Sequence, residues 1–290
     1  MNILISTITQ GLIYAILGIG VYITFRILNF ADMTAEGSLG LGGSVCAVLV
    51  SNAVNPVVGI ILAGFIGSAS GLVTGVLHTK FKIQPILSGI LTMIALYSIN
   101  LKIMGKPNIS LIESETIFSS KEGDQLINLI LMAIICLIIL VLLLLFFKTR
   151  LGLSIRATGD NEEMMRALGT NTNSKKTLAL MISGGICAIS GALLSLNQGY
   201  SDVNMGAGTI VIALSSIVIG EALTCKNSFQ AKLVSVVFGS IAYRLIITLV
   251  LNIGMNPQDL KLFTAAVAAI LLGLPNIRKT IKRSVINAKS

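Results

Sequence analysis

Charge is what this chain has least of. Only 11% of its 290 residues are Asp, Glu, Lys or Arg, against about 25% in an ordinary soluble domain. Tryptophan is absent, proline occurs five times, and His78 is the one histidine. A lone histidine at the end of an apolar run excludes a histidine-rich metal site and reads as an interfacial residue. The four cysteines (Cys46, Cys136, Cys187, Cys225) have no C-x-x-C spacing and lie in or beside apolar segments. They read as small buried hydrophobes, so neither a disulfide framework nor a metal centre is indicated. There is no G-x-x-x-x-G-K-[ST], no H-E-x-x-H and no nucleophile elbow. The chain therefore builds no phosphate cradle of its own. No catalytic residue, metal ligand or cofactor is nominated.

What fills the space is hydrocarbon. Hydrophobic residues make up 54% of the chain and the mean hydropathy is +0.90. These values predict an all-α polytopic membrane protein. About nine spans are expected, eight to ten allowing for broken or re-entrant helices. Ile3–Phe25 is the first, and Arg26 ends it. The next stretch is polar from Asn29 to Glu36, with Asp32 and Glu36 one helical turn apart and Gly37, Gly40, Gly42 and Gly43 behind them. It predicts a broken or partly re-entrant helix, which membranes tolerate only under protein or water cover. Val57–Leu77 carries Gly67, Gly71 and Gly75, two G-x-x-x-G steps that permit close helix approach. Ile83–Met104, the uncharged Leu126–Phe147, Leu178–Leu196, Ile210–Leu223, Leu233–Leu251 and the short Leu262–Leu274 complete the count. Leu178–Leu196 places Gly184, Ala188, Ala192 and Ser195 on one face.

The net charge of +9 would suit nucleic acid if it lay on a soluble face. Its placement argues otherwise. With Lys148–Lys176 set on the cytoplasmic side, 16 of the 21 Lys and Arg fall on that side, as the positive-inside rule requires. The expected topology has the N-terminus outside and the C-terminus cytoplasmic. The cations meet anionic lipid or a partner protein, and no nucleic acid is implied.

Lys148–Gly191 is the one long stretch whose first half is not apolar. Asp160 is placed to N-cap a short helix, with Glu163 three residues on closing a capping box. Gly169 suits the left-handed position that ends it. Asn161–Leu168 would span roughly 12 Å, presenting Met164, Met165, Ala167 and Leu168 as a small apolar face. The run R-A-T-G-D-N-E-E-M-M-R-A-L-G-T-N, then K-x-x-A-L-x-I-S-G-G-x-x-A-x-S-G-A-L, resembles permease subunits of ABC importers of the branched-chain-amino-acid and ribose type.

That resemblance implies several things at once. Residues 1–290 would form one transmembrane permease domain, with 148–176 as its cytoplasmic coupling loop. Gly159, Asp160, Asn161, Glu163, Met164, Met165, Ala167, Leu168 and Gly169 would dock on a separate ATPase chain. The implied partners are two ATPase subunits, a second permease copy or paralogue, and an extracytoplasmic solute-binding protein. The solute would be an amino acid or a related small molecule.

The pathway residues come from the sequence alone. Asn29, Asp32, Glu36, Asn204, Tyr243 and Arg244 are polar groups within or beside spans, and such groups tend to be functional. For Arg244 a structural ion pair with Glu221, Glu36 or Asp32 is the first expectation, and a substrate-facing role the second. A weak echo links the polar breaks at Asn29–Gly37 and Tyr200–Gly206, as an inverted repeat would produce. The rival function is an ion-coupled secondary transporter using Asp32, Glu36 and Arg244. A non-transporting membrane scaffold is a third class, and it leaves the polar breaks unexplained.

Overall fold

The computed structural model describes residues 2–112, 116–118, 125–224, 228–252, 262, 264–267 and 269. Ten α-helices, one π-helical turn and two three-residue strands are ordered along these residues. Helix α1 (Asn2–Tyr22) runs into the π turn Ile23–Ile27. After the break at 28–33 come α2 (Thr34–Ser51), α3 (Pro56–Thr79), α4 (Pro85–Met104) and α5 (Gln125–Phe146). Then follow α6 (Arg150–Asp160), α7 (Glu162–Ala167), α8 (Thr172–Gln198), α9 (Thr209–Leu223) and α10 (Phe229–Asn252). Strands β1 (Asn108–Ser110) and β2 (Tyr200–Asp202) pair antiparallel, Ile109 opposite Ser201. They clip the α4–α5 connection to the end of α8.

Local chemistry sets the ends. Pro56 opens α3 at a position whose N–H would be orphaned anyway, and the Asn55 side chain accepts from Val57 N at 2.9 Å. Gly105, left-handed at φ 66°, closes α4. Among the described residues seven helices are long and apolar enough to cross a membrane, and α9, with 15 residues, is a shorter apolar helix beside them. The expected ninth crossing at Leu262–Leu274 lies largely outside the described residues. So do Cys225, Lys226, the basic tail and the expected cytoplasmic C-terminus.

Helix α8 is the centre of the bundle, held between α2 and α3 by backbone-to-backbone contact. A Cβ on Gly42 would overlap the Ala188 carbonyl, and one on Gly191 would overlap that of Leu39. Against α3, Gly71 meets the Leu180 carbonyl and Gly67 meets Gly184. The small-residue faces expected on α3 and α8 therefore face each other. Where backbones come this close, hydroxyls bond across. Ser38–Ser70 and Thr34–Thr74 are both 2.7 Å, and Thr74–Thr92 is 2.9 Å. Buried in hydrocarbon, each hydroxyl needs such a partner, and the chain of bonds ties α2, α3 and α4 together.

Candidate functional site

Two places gather the polar residues. The first is the elbow α6–α7–α8. Thr149 caps α6 by accepting from Gly152 N, and α6 runs on through Asp160, its last residue. The cap of α7 thus falls one residue later than expected. Asn161 is extended (φ −153°, ψ 100°) and its side chain accepts from Met164 N at 2.9 Å. Asp160 is not the cap. The capping box is replaced as well, because Glu162, rather than Glu163, fixes the helix. Its carboxylate takes Arg166 at 2.6 Å, Lys176 at 2.7 Å and Thr172 at 3.1 Å. Desolvation pushes the Glu162 carboxyl upward, but the bond and charge of Lys176, with Thr172 and Arg166, outweigh it and hold it below its usual range. The brace fastens α7 to the first turns of α8. Gly169 is left-handed at φ 77°, as expected.

The apolar face of α7 divides in two. Met165 is buried, while Met164 and Leu168 are 47% and 70% exposed. Glu163 and Ala167 point outward beside them. Upstream, the Gly159 carbonyl accepts from Asn29 Nδ2 at 3.0 Å, and a Cβ at Gly159 would overlap the Ile27 carbonyl. The elbow therefore rests directly on the break between α1 and α2.

The second place is where α2 and α9 begin. Asn29 is left-handed (φ 51°), and buried Asp32 accepts from Thr34 N at 2.8 Å, capping the first turn of α2. Glu36 lies in that turn. Its Oε1 accepts from Gly208 N at 2.9 Å and Ile210 N at 3.4 Å, so a carboxylate of α2 caps the positive end of α9. Gly206 packs against the Glu36 carbonyl. The polar breaks at 29–37 and 200–208 thus meet, and the N-termini of α2 and α9 converge there. Measured along α9, this junction is roughly 20 Å from Glu221, which pairs with Arg26 at the other end.

A cavity of about 330 Å³ opens at the junction, lined by Glu36, Met93, Tyr97, Asn100, Val203 and Asn204 among others. Tyr97 and Asn100 were not nominated from the sequence. Their signal was there: Met93, Tyr97 and Asn100 recur at helical spacing in an apolar span, so they share a face.

The remaining nominated residues lie elsewhere. Asn29 and Asp32 hold the break itself and do not line the cavity. Arg244, on α10, donates to Gln10 Oε1, with Nε at 3.0 Å, and lies 5.4 Å over the Tyr14 ring. No acid pairs with it among the described residues, which corrects the expected ion pair. Glu221 is taken by Arg26, Glu36 by α9, and Asp32 by Thr34. Tyr243 is buried and its hydroxyl has no partner among the described residues. Among the described residues, no cluster of three metal-ligating side chains occurs.

The architecture is that of a polytopic helical membrane protein. A family model described as the permease component of branched-chain amino acid transport systems matches residues 3–274. The chain belongs to this family, the membrane-spanning component of ABC-type importers. Similar proteins include a tyrosine transport system permease protein of Clostridioides difficile, 44% identical over all of this chain and 96% of that protein. The ribose import permease protein RbsC of Escherichia coli is 26% identical over 76% of this chain and 69% of its own length. Among solved structures, PsaBC from Streptococcus pneumoniae in complex with Fab matches with a TM-score of 0.50 at 19% identity, covering 93% of this chain and 89% of that one. It shares the fold. Family membership leaves the ion-coupled and scaffold alternatives without support.

Proposed function

We propose that this chain forms half of a solute pathway for an amino acid, paired with a second copy or a paralogue. Two ATPase subunits dock beneath it and a solute-binding protein delivers from outside. ATP hydrolysis belongs to the separate subunits. The N-terminus lies outside and the elbow inside, within a single transmembrane domain. The observation that carries this reading is the elbow. A six-residue helix offers Met164 and Leu168 to solvent while Glu162 locks it to α8. An exposed apolar pair on a braced helix between α6 and α8 suits docking against a partner's apolar cleft. In this reading Gly159 and Asn161 shape the elbow, Gly169 ends it, and Asp160, Glu163 and Ala167 form its rim. Buried Met165 anchors it.

Of the nominated pathway residues, Glu36 and Asn204 line the route. Asn29 and Asp32 couple it to the elbow, and Tyr243 and Arg244 pack α10 against α1. The amino-acid solute follows from the family's description and the 44% identical tyrosine permease.

The test is a pull-down. Met164→Asp and Leu168→Asp place a carboxylate against an apolar cleft, where it loses hydration without gaining a partner. Both variants should insert and fold but release the ATPase subunits. Retention of the ATPase by both, with solute uptake intact, overturns the docking role. Met165→Asp is the contrast: being buried, it should disturb the elbow itself.

A further inference from the structure

The cavity at the α2–α9 junction has a chemical preference of its own. Three observations define it. First, Glu36 uses only Oε1 on the backbone of α9, and Oε2 accepts no hydrogen bond among the described residues. Second, Asn100 is 1% exposed and lines the cavity, yet its Oδ1 has no partner among the described residues. A buried amide oxygen left unpaired in hydrocarbon is costly and marks the place of an absent donor. Third, among the described residues no lysine or arginine lines the cavity, and apart from the exposed Asn204 amide its remaining side chains are apolar or aromatic, with Met93, Ile94, Tyr97 and Val203 the largest.

From these we infer that the cavity is a solute subsite for a protonated amine, with the solute's apolar or aromatic part lying along Ile94 and Tyr97. An ammonium has three donors and no acceptor, which complements Glu36 Oε2 and Asn100 Oδ1. A carboxylate could take an N–H of the Asn100 or Asn204 amide or the Tyr97 hydroxyl, but it would lie against the Glu36 charge with no lysine or arginine in the described lining to offset it. The cavity therefore discriminates by charge sign, reading the amine end of the solute. A Tyr97 face beside a cation adds a favourable quadrupole term. The inference rests on the pathway reading above and specifies which end of an amino acid this half of the route holds.

The experiment uses the complete permease–ATPase complex in detergent, with its native cysteines replaced and Ile94→Cys introduced. Two thiol reagents of similar size are compared, a trimethylammonium and a sulfonate methanethiosulfonate, each normalised to its rate with a free thiol. The cationic reagent should react about tenfold faster, a modest factor beside an unscreened carboxylate field at this range. Asn100→Leu should reduce the ratio and Asn100→Asp should raise it. Glu36→Gln should bring it near one. If that variant fails to elute as a monodisperse complex, the Asn100 pair decides alone.

Protection supplies the second arm. Tyramine, which has the amine without the carboxylate, should slow labelling of the Ile94→Cys complex, and 3-(4-hydroxyphenyl)propionate should not. Equal rates for the two reagents, or protection by the carboxylate compound, would overturn the subsite. Failure of the broader reading looks different. Wild-type proteoliposomes would then take up no amino acid, L-tyrosine included, while the reagent preference persisted.

Discussion

Helices α5 and α2 both lie within apolar sequence, and they are opposites. Helix α5 reaches a mean hydropathy of 3.7, yet only 22% of its most apolar window is buried by protein. For α2 the mean hydropathy is 1.2 and 78% is buried. In water the ranking would be reversed. Here the lipid is as apolar as leucine, so leucine gains nothing by turning inward. What distinguishes the interior is the ability of backbones to touch. The most hydrophobic helix is thus the periphery of this molecule, and its glycine- and serine-rich helices are the core.

The sharpest way to break that contrast is to enlarge a small core residue. Gly42→Leu drives a side chain into the Ala188 carbonyl, and backbone cannot rotate away. It should cost about 3 kcal/mol, the upper range for over-packing, and largely abolish monodisperse protein in gel filtration. Leu137→Ala on α5, 61% exposed, removes a side chain of similar size yet should stay within about 0.5 kcal/mol. Comparable losses for the two would refute the lipid-facing assignment of α5.

Next in size is Arg244, the charge within the apolar wall. Arg244→Gln and Gln10→Ala should each lower stability by about 1.5 kcal/mol, with the double variant well short of the sum. Neutralising Glu221 should give no rescue. A rescue would restore the acid pairing that sequence reasoning first favoured.

Smaller again is the elbow brace. Glu162→Gln should cost about 0.5–1 kcal/mol, since the carboxylate is partly exposed and the pairs are screened. Because Glu162 titrates lower in the folded chain, its contribution is complete above the unfolded value near 4.3 and fades as pH falls through the folded one. Amide exchange over Glu162–Ala167 should therefore be faster in the variant at pH 7, and the two proteins should converge at strongly acid pH. A difference that grows on acidification would contradict the brace. Smallest is the Ser38–Ser70 bond, for which a double-mutant cycle to alanine should return a coupling of about 0.6 kcal/mol. Zero coupling would make the hydroxyls bystanders to the glycine contacts.

The same contrast explains what could be read from the sequence. Helix spans and the small-residue faces of α3 and α8 were legible, because period and side-chain size are local properties. The cap of α7 was misplaced by one residue. The cause lies upstream: α6 runs from its Thr149 cap through Asp160, so Asp160 is helical and the first extended residue ahead of α7 is Asn161. The brace at Glu162 needed Lys176, fourteen residues on, to be visible as a partner. Arg244 was given an acid because sequence carries no depth: a neutral Gln10 and the face of Tyr14 satisfy it, and neither signals itself by charge. Asn100 was overlooked because one amide barely lowers the hydropathy of α4, although its helical register with Tyr97 and Met93 marked the face.

One last consequence concerns α9. It is pinned at both ends by residues that flank a single interruption of the chain: Arg26 holds Glu221 below, and Glu36 holds Gly208 and Ile210 above. Between Arg26 and Glu36 lie Ile27 and Asn29, which meet the Gly159 corner, Ile27 through its carbonyl and Asn29 through its side-chain amide. The 26–36 segment and α9 are thus two struts joined at two points roughly 20 Å apart, one at the Arg26 end and one beside the cavity wall at Glu36, so the Gly159 corner and the cavity share a single strut of the chain.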